Sequence, residues 1–393
     1  MKAITQYLQR YAEREIQSLR QWPKDQSFLR CLIIPVYDES HEFIDRLKNS
    51  ALSQQLLLIL VVNRPDNTNG CTANDELLRY LEDCFETRWQ HDSLKLLGSG
   101  NFGILLVDRH NDPIAHKQGV GLARKIGCDL AVNLIFEKKL SSKWIHSTDA
   151  DARLPADYFQ TDALTDLHAG AIYQFQHIRD GSEIAWATEL YEQTLHHYVD
   201  GLARAKSPYA FHTIGSILAI NYQQYCQARG FPKRSGGEDF YLLNKLRKLG
   251  AIASLPARIM LEPRESHRVP FGTGPATAKI LQAMNEQKNI NTYNPEVFDQ
   301  LAITLKKITT TIEDQGELSS VQLELPAASQ QALAALDIEK CFSHLSTQSN
   351  KDWQLRHFHD WFDAFRTLKF IRFLQTSHFP NVPIASQTPF KSA

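Results

Sequence analysis

The sequence predicts an α/β protein in which helices flank a mostly parallel sheet, followed by a helical C-terminal region. Strand-like apolar runs alternate with helix-like segments between residues 29 and 275, a pattern typical of parallel sheets with helical crossovers. The runs are apolar at consecutive positions, as in strands buried on both faces. Beyond residue 276 the segments are nearly all helix-like. We therefore expect an N-terminal helix in residues 1–28, an α/β domain in residues 29–275 and a helical region in residues 276–393.

Each expected element has its own pattern. Residues 3–22 have the spacing of an amphipathic helix. Buried strands are expected over "RCLIIPV", over "QLLLILVV" and at the start of "KWIHSTDAD", with one or two short strands in "SLKLLGSGNFGILLVDRH". Helices are expected at residues 41–53, at residues 73–89 and over "HKQGVGLARKIGCDLAVNL". Because the carboxyl ends of parallel strands meet at one edge, ligands should bind there.

One glycine-rich motif has two readings. Residues 98–103, "GSGNFG", match the GxGxxG pattern of dinucleotide-binding folds. In those folds the third glycine lies in a helix whose N-terminus receives the pyrophosphate. Here the strand-like "ILLVD" follows the motif, and two expected strands precede it. We therefore interpret the motif as a turn between strands.

Composition argues against several classes of function. The formal net charge is −1 over 393 residues, so no basic field exists to attract nucleic acid. No run approaches the roughly 18 apolar residues that span a bilayer, and the charged N-terminus has no signal-peptide core. The six cysteines lack CxxC spacing and are expected to be reduced thiols. We therefore expect a cytoplasmic protein with no nucleic-acid partner.

Two carboxylates follow the third long strand. Asp149 and Asp151 are separated only by Ala150 in "STDAD", and two carboxylates this close repel each other unless something compensates them. Mg²⁺ or Mn²⁺ would do so, since both prefer oxygen ligands and can also hold a diphosphate. A solvated loop with an Asx turn before Pro155 explains the same pattern.

A second acidic pair opens a predicted helix. Glu238 and Asp239 precede "FYLLNKLRKLG", where the helix dipole favours carboxylates. We therefore expect Asp239 to have a lowered pKa and to be ionised at neutral pH. Simple N-capping also explains the pair.

A third element combines a histidine with an arginine. His267 and Arg268 precede a loop that contains Gly272 and Gly274. An imidazole can complete a metal site, and an arginine can hold phosphate with two hydrogen bonds. An ordinary surface histidine is the alternative for His267.

Together these elements resemble the family 2 glycosyltransferases, which have the GT-A fold, over about residues 29–275. "IIPVYDE" resembles the first strand and loop of the family, and "LVVNRPDNT" resembles its second strand. "GVGLARKIGCDLA" is similar to the helix with an Ala-Arg pair, "STDAD" to the DxD motif, and "TIGSILAI" with "GFPKRSGGEDFYLLNKL" to the acceptor-side strand and ED helix. The five elements occur in the order of the family.

The resemblance implies a metal-dependent, inverting hexosyltransferase that uses a nucleotide-diphospho-sugar and Mg²⁺ or Mn²⁺. It implies that Asp239 is the catalytic base and that Glu238 orients the acceptor. It implies that Asp151 binds the metal, with His267 as a further ligand. It implies that Asp149 contacts both the metal and the ribose or sugar of the donor. The remaining donor contacts that it implies are Pro35, Tyr37, Glu39, Asn63, Asp66, Arg124 and Arg268.

The sequence departs from the family in two places, one that bears on the type of transfer and one that bears on the nucleotide base. The QxxRW motif of processive synthases is absent after the ED helix, so we expect one transfer to a small-molecule or lipid-linked acceptor. Asn63 stands where members commonly have an acidic residue, which leaves the nucleotide base open. The alternatives are a sugar nucleotidyltransferase, which "VYDES" does not favour, and a catalytically silent sugar-nucleotide-binding or regulatory protein.

An aromatic helix is expected near the C-terminus. "WQLRHFHDWFDAFRTLKFIRFL" places Phe358, Trp361, Phe362, Phe365, Leu368 and Ile371 near one face. Peripheral membrane contact, a homodimer interface and burial against the catalytic domain all explain this face. We favour burial.

Overall fold

A computed structural model describes residues 2–264 and 272–384. In this part of the chain, helices flank a large central sheet, which makes the protein a mixed α/β structure. The ten strands of that sheet are β1 (Arg30–Val36), β2 (Leu56–Pro65), β3 (Glu86–His91), β4 (Leu94–Ser99), β5 (Phe102–Ile114), β6 (Trp144–Ser147), β7 (Ala152–Arg153), β8 (His168–His177), β9 (Leu218–Asn221) and β10 (Ala251–Leu261). A separate pair consists of β11 (Asn291–Thr292) and β12 (Val382–Pro383).

The strand order in the large sheet is β3-β4-β5-β2-β1-β6-β9-β8-β10-β7. β5, β2, β1 and β6 are parallel to one another, so their carboxyl ends share an edge. The expectation of a mostly parallel sheet needs correction, because β9 is antiparallel to β6 and β8, and β3-β4-β5 is an antiparallel meander. Short turns force the antiparallel pairing of β3, β4 and β5, whereas long connections join β9 to β6 and β8 and allow either direction. The turn interpretation of "GSGNFG" is confirmed, since Gly98 pairs with Gly103 and Gly100 has φ of +58°.

The α-helices lie between and after these strands. They are α1 (Lys2–Arg10), α2 (Glu42–Lys48), α3 (Thr72–Cys84), α4 (Gly119–Phe136), α5 (Glu183–Arg204), α6 (Tyr222–Gln227), α7 (Glu238–Arg247), α8 (Thr273–Asn285), α9 (Glu296–Glu313), α10 (Leu318–Val321), α11 (Ala327–Ala334), α12 (Ile338–Leu345), α13 (Lys351–Trp361) and α14 (Ala364–Ser377). Within the described residues, no helix is both long enough and apolar enough to cross a bilayer. None of the six cysteines forms a disulfide.

The chain divides into two compact units that are not contiguous in sequence. Unit 1 contains residues 1–181 and 213–275, and unit 2 contains residues 182–212 and 276–393. The expected α/β domain of residues 29–275 therefore needs correction, because α5 belongs to unit 2. Its residue Leu202 lies in one apolar cluster with Val297 and Phe298 of α9. Periodicity identifies α5 as a helix but contains no information on which helix it packs against.

The N-terminal segment is part of unit 1, so residues 1–28 are not an appendage. The helix expected at residues 3–22 ends at Arg10, and a 3-10 helix follows. Asp129 of α4 is fully buried and accepts hydrogen bonds from Lys125 Nζ at 2.8 Å, from Tyr225 Oη at 3.0 Å and from the hydroxyl of Tyr7 in α1. Burial raises the pKa of Asp129. Removing one partner of a buried pair costs about 3–5 kcal/mol, so this cluster fastens α1 to α4.

Unit 2 has its own core. The aromatic segment near its end forms two helices, because Asp363 Oδ1 accepts from the backbone nitrogens of Phe365 and Arg366, at 3.1 Å each, and starts a new helix. Phe358 is fully buried. Burial is thus confirmed for the aromatic face at Phe358, Phe362 and Ile371, with the core of unit 2 as the packing partner in place of the expected catalytic domain, while Phe365 is exposed.

Candidate active site

Arg124, in the second turn of α4, joins the ends of several elements. Its side chain is 3% exposed. Nε donates to Glu238 Oε1 at 3.0 Å, and Nη2 donates to Asp149 Oδ1 at 2.6 Å. Nη1 donates to Ser147 Oγ at 2.8 Å. Burial alone would lower the pKa of this guanidinium, but Asp149, Glu238 and Asp239 raise it overall. Arg124 is therefore a permanent cation that fixes the end of β6 and the start of α7.

Two glycines allow the backbone to approach this arginine and its helix. A Cβ at Gly215, just before β9, would lie 2.4 Å from Nη2 of Arg124. A Cβ at Gly121 would lie 2.4 Å from the carbonyl oxygen of Pro232, and its nitrogen donates to the carbonyl of Arg234 at 2.9 Å. The "GFPKRSGGED" loop is thus clamped onto α4, which places Glu238 within reach of Arg124.

Asp239 follows at the start of α7 and is mostly enclosed, with only a part of its surface exposed. Its Oδ1 accepts from the backbone nitrogen of Phe240 at 2.6 Å. Burial, and then the charge of Glu238, raise the pKa of Asp239 from 3.8 to about 8. The expectation of a lowered pKa is wrong, because loss of hydration in an acidic site outweighs the helix dipole. The protonated form of Asp239 is therefore favoured relative to that of an ordinary aspartate.

Asp151 is compensated by a different arginine. β7 pairs with the end of β10, and the backbone nitrogen of Glu262 donates to the carbonyl of Asp151 at 3.3 Å. This pairing brings Arg264, three residues after β10, to the site. Its Nη2 lies 2.8 Å from Asp151 Oδ2, and its Nη1 lies 2.7 Å from Glu39 Oε1. Burial would lower the pKa of Arg264, but Asp151 and Glu39 raise it overall.

The donor residues expected at the first strand lie either in the loop after β1 or within β1 itself. Tyr37 and Glu39 lie in the loop after β1, and Glu39 reaches Arg264. Pro35 is buried within β1, opposite Val61 of β2, so the donor would meet the loop after it.

Asn63 and Asp66 shape the edge of the sheet. Asn63 is 7% exposed, and its amide donates to the carbonyl of Val36 at 2.9 Å. Asp66 is exposed and accepts from the backbone nitrogen of His116 at 2.9 Å. Both therefore have structural hydrogen bonds, and their proposed donor contacts stay predictions.

His146, in β6, is the histidine nearest in sequence to Asp149 and Asp151, but its surroundings do not suit a catalytic base. It is 2% exposed, and its Nδ1 lies 2.8 Å from the hydroxyl of Tyr173. Burial, assisted by Arg30, lowers the pKa of His146 to about 3. It is therefore a neutral packing residue.

His267 and Arg268 lie outside the described residues, so their expected parts as metal ligand and phosphate contact stay predictions. Arg264 lies only three residues before His267, and sequence reasoning missed it. Its position after "RIMLEP" was the available signal, since a cation at the end of a strand faces the ligand edge.

The charge and ligand chemistry of the site fit a divalent cation. Among the residues described above, two arginines face five carboxylates, which are Glu39, Asp149, Asp151, Glu238 and Asp239. The side chains of Asp149 and Asp151 are 34% and 19% exposed, and carboxylate oxygens suit Mg²⁺ and Mn²⁺. The described ranges contain no group of three His, Cys, Asp or Glu side chains that could hold a metal. Further ligands would have to come from the donor or from outside those ranges.

Comparisons with known proteins do not assign the chain to a family. No protein-family model matches it, and no curated protein does. Among solved structures, it is similar to the mannosyltransferase PcManGT from Pyrobaculum calidifontis in complex with GDP-Man and Mn²⁺, at 14% identity over 96% of each chain with a TM-score of 0.40. At this identity and TM-score, the likeness carries no argument about activity, and the functional conclusion depends on the geometry of the site.

Proposed function

We propose that this protein is a glycosyltransferase that moves one sugar from a nucleotide-diphospho-sugar to an acceptor hydroxyl, with inversion at the anomeric carbon. We propose further that unit 1 has a GT-A-type fold like that of the family 2 enzymes. The observation that carries the proposal is the junction at Arg124, where Asp149 and Glu238 meet beside Asp239. A fixed cation, a strand-end carboxylate and a carboxylic base in one place suit transfer from an anionic donor.

Donor binding would use the edge where β1, β2 and β6 end. Asp149 and Asp151 would hold Mg²⁺ or Mn²⁺, which supplies charge neutralisation to the diphosphate. Tyr37 and Glu39 would meet the nucleoside from the loop after β1. Arg124 would keep Asp149 in place, because three hydrogen bonds and burial fix the guanidinium.

Asp239 would act as the base. In its ionised form it accepts the proton of the acceptor hydroxyl, whose oxygen attacks the anomeric carbon from the face opposite the diphosphate. The new carbon–oxygen bond forms while the bond from carbon to the phosphate oxygen breaks. A pKa of about 8 makes Asp239 a stronger base than an ordinary aspartate, although a smaller fraction is ionised at pH 7.

Titration calorimetry with UDP-, GDP- and dTDP-sugars in the presence of Mn²⁺ tests the proposal. We expect at least one donor to bind, EDTA to abolish binding, and Asp151→Ala to weaken it by more than about tenfold. Asp162→Ala is the matched control, since Asp162 is an exposed carboxylate elsewhere in unit 1. Native affinity in Asp151→Ala, together with native binding that EDTA leaves unchanged, would refute the assignment of Asp151.

Transfer is measured beside binding, with a panel of small and lipid-linked acceptors. Tight donor binding without transfer to any acceptor would favour the silent sugar-nucleotide-binding protein. Absence of donor binding would overturn the proposed function.

A further inference from the structure

Arg264 stands between carboxylates that come from two separate loops. Its Nη1 contacts both carboxylate oxygens of Glu39, at 2.7 and 2.9 Å, and its Nη2 contacts Asp151 at 2.8 Å. Glu39 follows β1 and Asp151 follows β6, so one guanidinium bridges neighbouring parallel strands at their carboxyl ends. Asp151 is one of the two carboxylates that would hold the cation under the proposed function.

The two arginines of the site are held very differently. Arg124 is buried and donates to a carboxylate on each side and to Ser147. The side chain of Arg264 is 33% exposed, and the carboxylates that it contacts are 15% and 19% exposed. With about a third of its side chain open to water, Arg264 has room to change partner, whereas the 3% exposed side chain of Arg124 is enclosed on every side by its partners.

We propose that Arg264 is an exchangeable cation: it neutralises Asp151 and Glu39, is displaced from Asp151 when a divalent cation binds there, and then pairs with the diphosphate of the donor. The inference rests on the proposed function, since it takes Asp151 as a cation ligand. A guanidinium suits both positions, because its planar fork matches a carboxylate and a phosphate equally well.

The proposal predicts that loss of Arg264 strengthens the binding of a divalent cation and weakens the binding of the nucleotide. Displacing Arg264 costs free energy, so the native chain binds a divalent cation more weakly than a chain without this competitor. The same arginine helps to hold the diphosphate, so its loss weakens nucleotide binding once the metal site is saturated. A merely structural arginine would weaken both equilibria or neither.

The test titrates Mn²⁺ alone, followed by electron paramagnetic resonance of the free ion, into the full-length chain and its variants. Arg264→Gln should bind Mn²⁺ about tenfold more tightly than the native chain, the effect of losing one charged competitor. Arg264→Lys keeps the charge and should remain close to the native affinity. Arg153→Gln is the matched control, because Arg153 lies nearby and pairs with Glu262 at 3.1 Å without contacting Asp151.

UDP and GDP are then titrated at saturating Mn²⁺. The test uses whichever nucleotide the native chain binds more tightly. Arg264→Gln should bind that nucleotide about tenfold more weakly than the native chain does, and the affinity of Arg264→Lys should lie between those of the native chain and Arg264→Gln. Unchanged or weaker Mn²⁺ binding by Arg264→Gln overturns the exchange, as does Mn²⁺ binding by neither chain. If neither nucleotide binds the native chain, the proposed function fails, while the Mn²⁺ titration still decides whether Arg264 competes for Asp151.

Discussion

The surroundings of Asp239 favour its protonated form. Burial removes the water that would stabilise the charged form, and Glu238 adds repulsion. The pKa is raised, so the ionised fraction increases tenfold for each pH unit up to about 8 and then levels off. A base with this pKa gives a protein whose transfer rate should increase between neutral and mildly alkaline pH.

Asp239→Asn should lower transfer by about 10²- to 10⁴-fold and remove this rise with pH. Asparagine keeps the size and can still accept from the nitrogen of Phe240, so donor affinity should stay close to the native value. The measurement is the ratio of kcat to KM from pH 6 to 9, beside donor titration. Asp162→Asn serves as control, and native rates from Asp239→Asn would place the base elsewhere.

The sequence alone was sufficient to single out most of the residues that meet at Arg124, because strand ends and the first turn of a helix can be located from pattern. It did not distinguish Arg264 from its neighbours. Which cation after β10 faces Asp151 depends on the pairing of two-residue β7 with β10, and so short a strand has no periodicity. The pKa of Asp239 was misjudged for a related reason, since burial depends on tertiary packing.

At the scale of elements, α4 and the loop before α7 approach each other more closely than side chains would allow. Gly121→Ala would put a methyl group 2.4 Å from the carbonyl oxygen of Pro232 and 2.6 Å from that of Arg234. Both are backbone atoms and cannot rotate away. Alanine normally stabilises a helix interior by up to about 1 kcal/mol relative to glycine. A loss of stability in Gly121→Ala would therefore report the clash with the loop and not the helix propensity.

We expect Gly121→Ala to destabilise the protein by about 1–3 kcal/mol and to weaken donor binding, because the displaced loop carries Glu238 away from Arg124. Thermal unfolding and calorimetry measure the two effects. Gly70→Ala is the matched control, since a Cβ there meets nothing within 4 Å. An unchanged melting temperature for Gly121→Ala would show that the loop yields without cost.

Elements were predicted best where a long apolar run determines them. β1 and β2 were found with small boundary errors, and α4 was found as well. The helix expected at residues 73–89 ends at Cys84, and β3 begins at Glu86. "ETRWQH" is only partly buried and lacks apolar alternation, so its strand character comes from pairing with β4.

At the scale of the whole molecule, the helical unit depends on two separate parts of the chain. The ring of Phe298 lies against the backbone of Gly201, where a Cβ would be 2.4 Å from the ring. His197 Nε2 lies 2.8 Å from the carbonyl oxygen of Tyr293. Residues 182–212 therefore need residues beyond 276 to bury their apolar face.

A chain truncated after Pro275 should consequently be poorly soluble and bind a hydrophobic dye. The same truncation with residues 182–212 replaced by a flexible Gly/Ser linker should remain soluble and unfold cooperatively. Sedimentation and dye fluorescence distinguish the two. Equal solubility of both chains would contradict the dependence of α5 on α9.

The discontinuous helical unit also has a consequence for synthesis on the ribosome. Gly201 emerges 97 residues before Phe298, since 298 − 201 = 97. At about 5–20 residues per second, α5 waits roughly 5–20 s for the helix that covers it. During that interval the strands on either side of α5 in sequence can begin to pair, while its own apolar face remains exposed. A nascent chain of this topology offers chaperones a binding segment in its middle, late in translation, and slower elongation there would prolong that exposure.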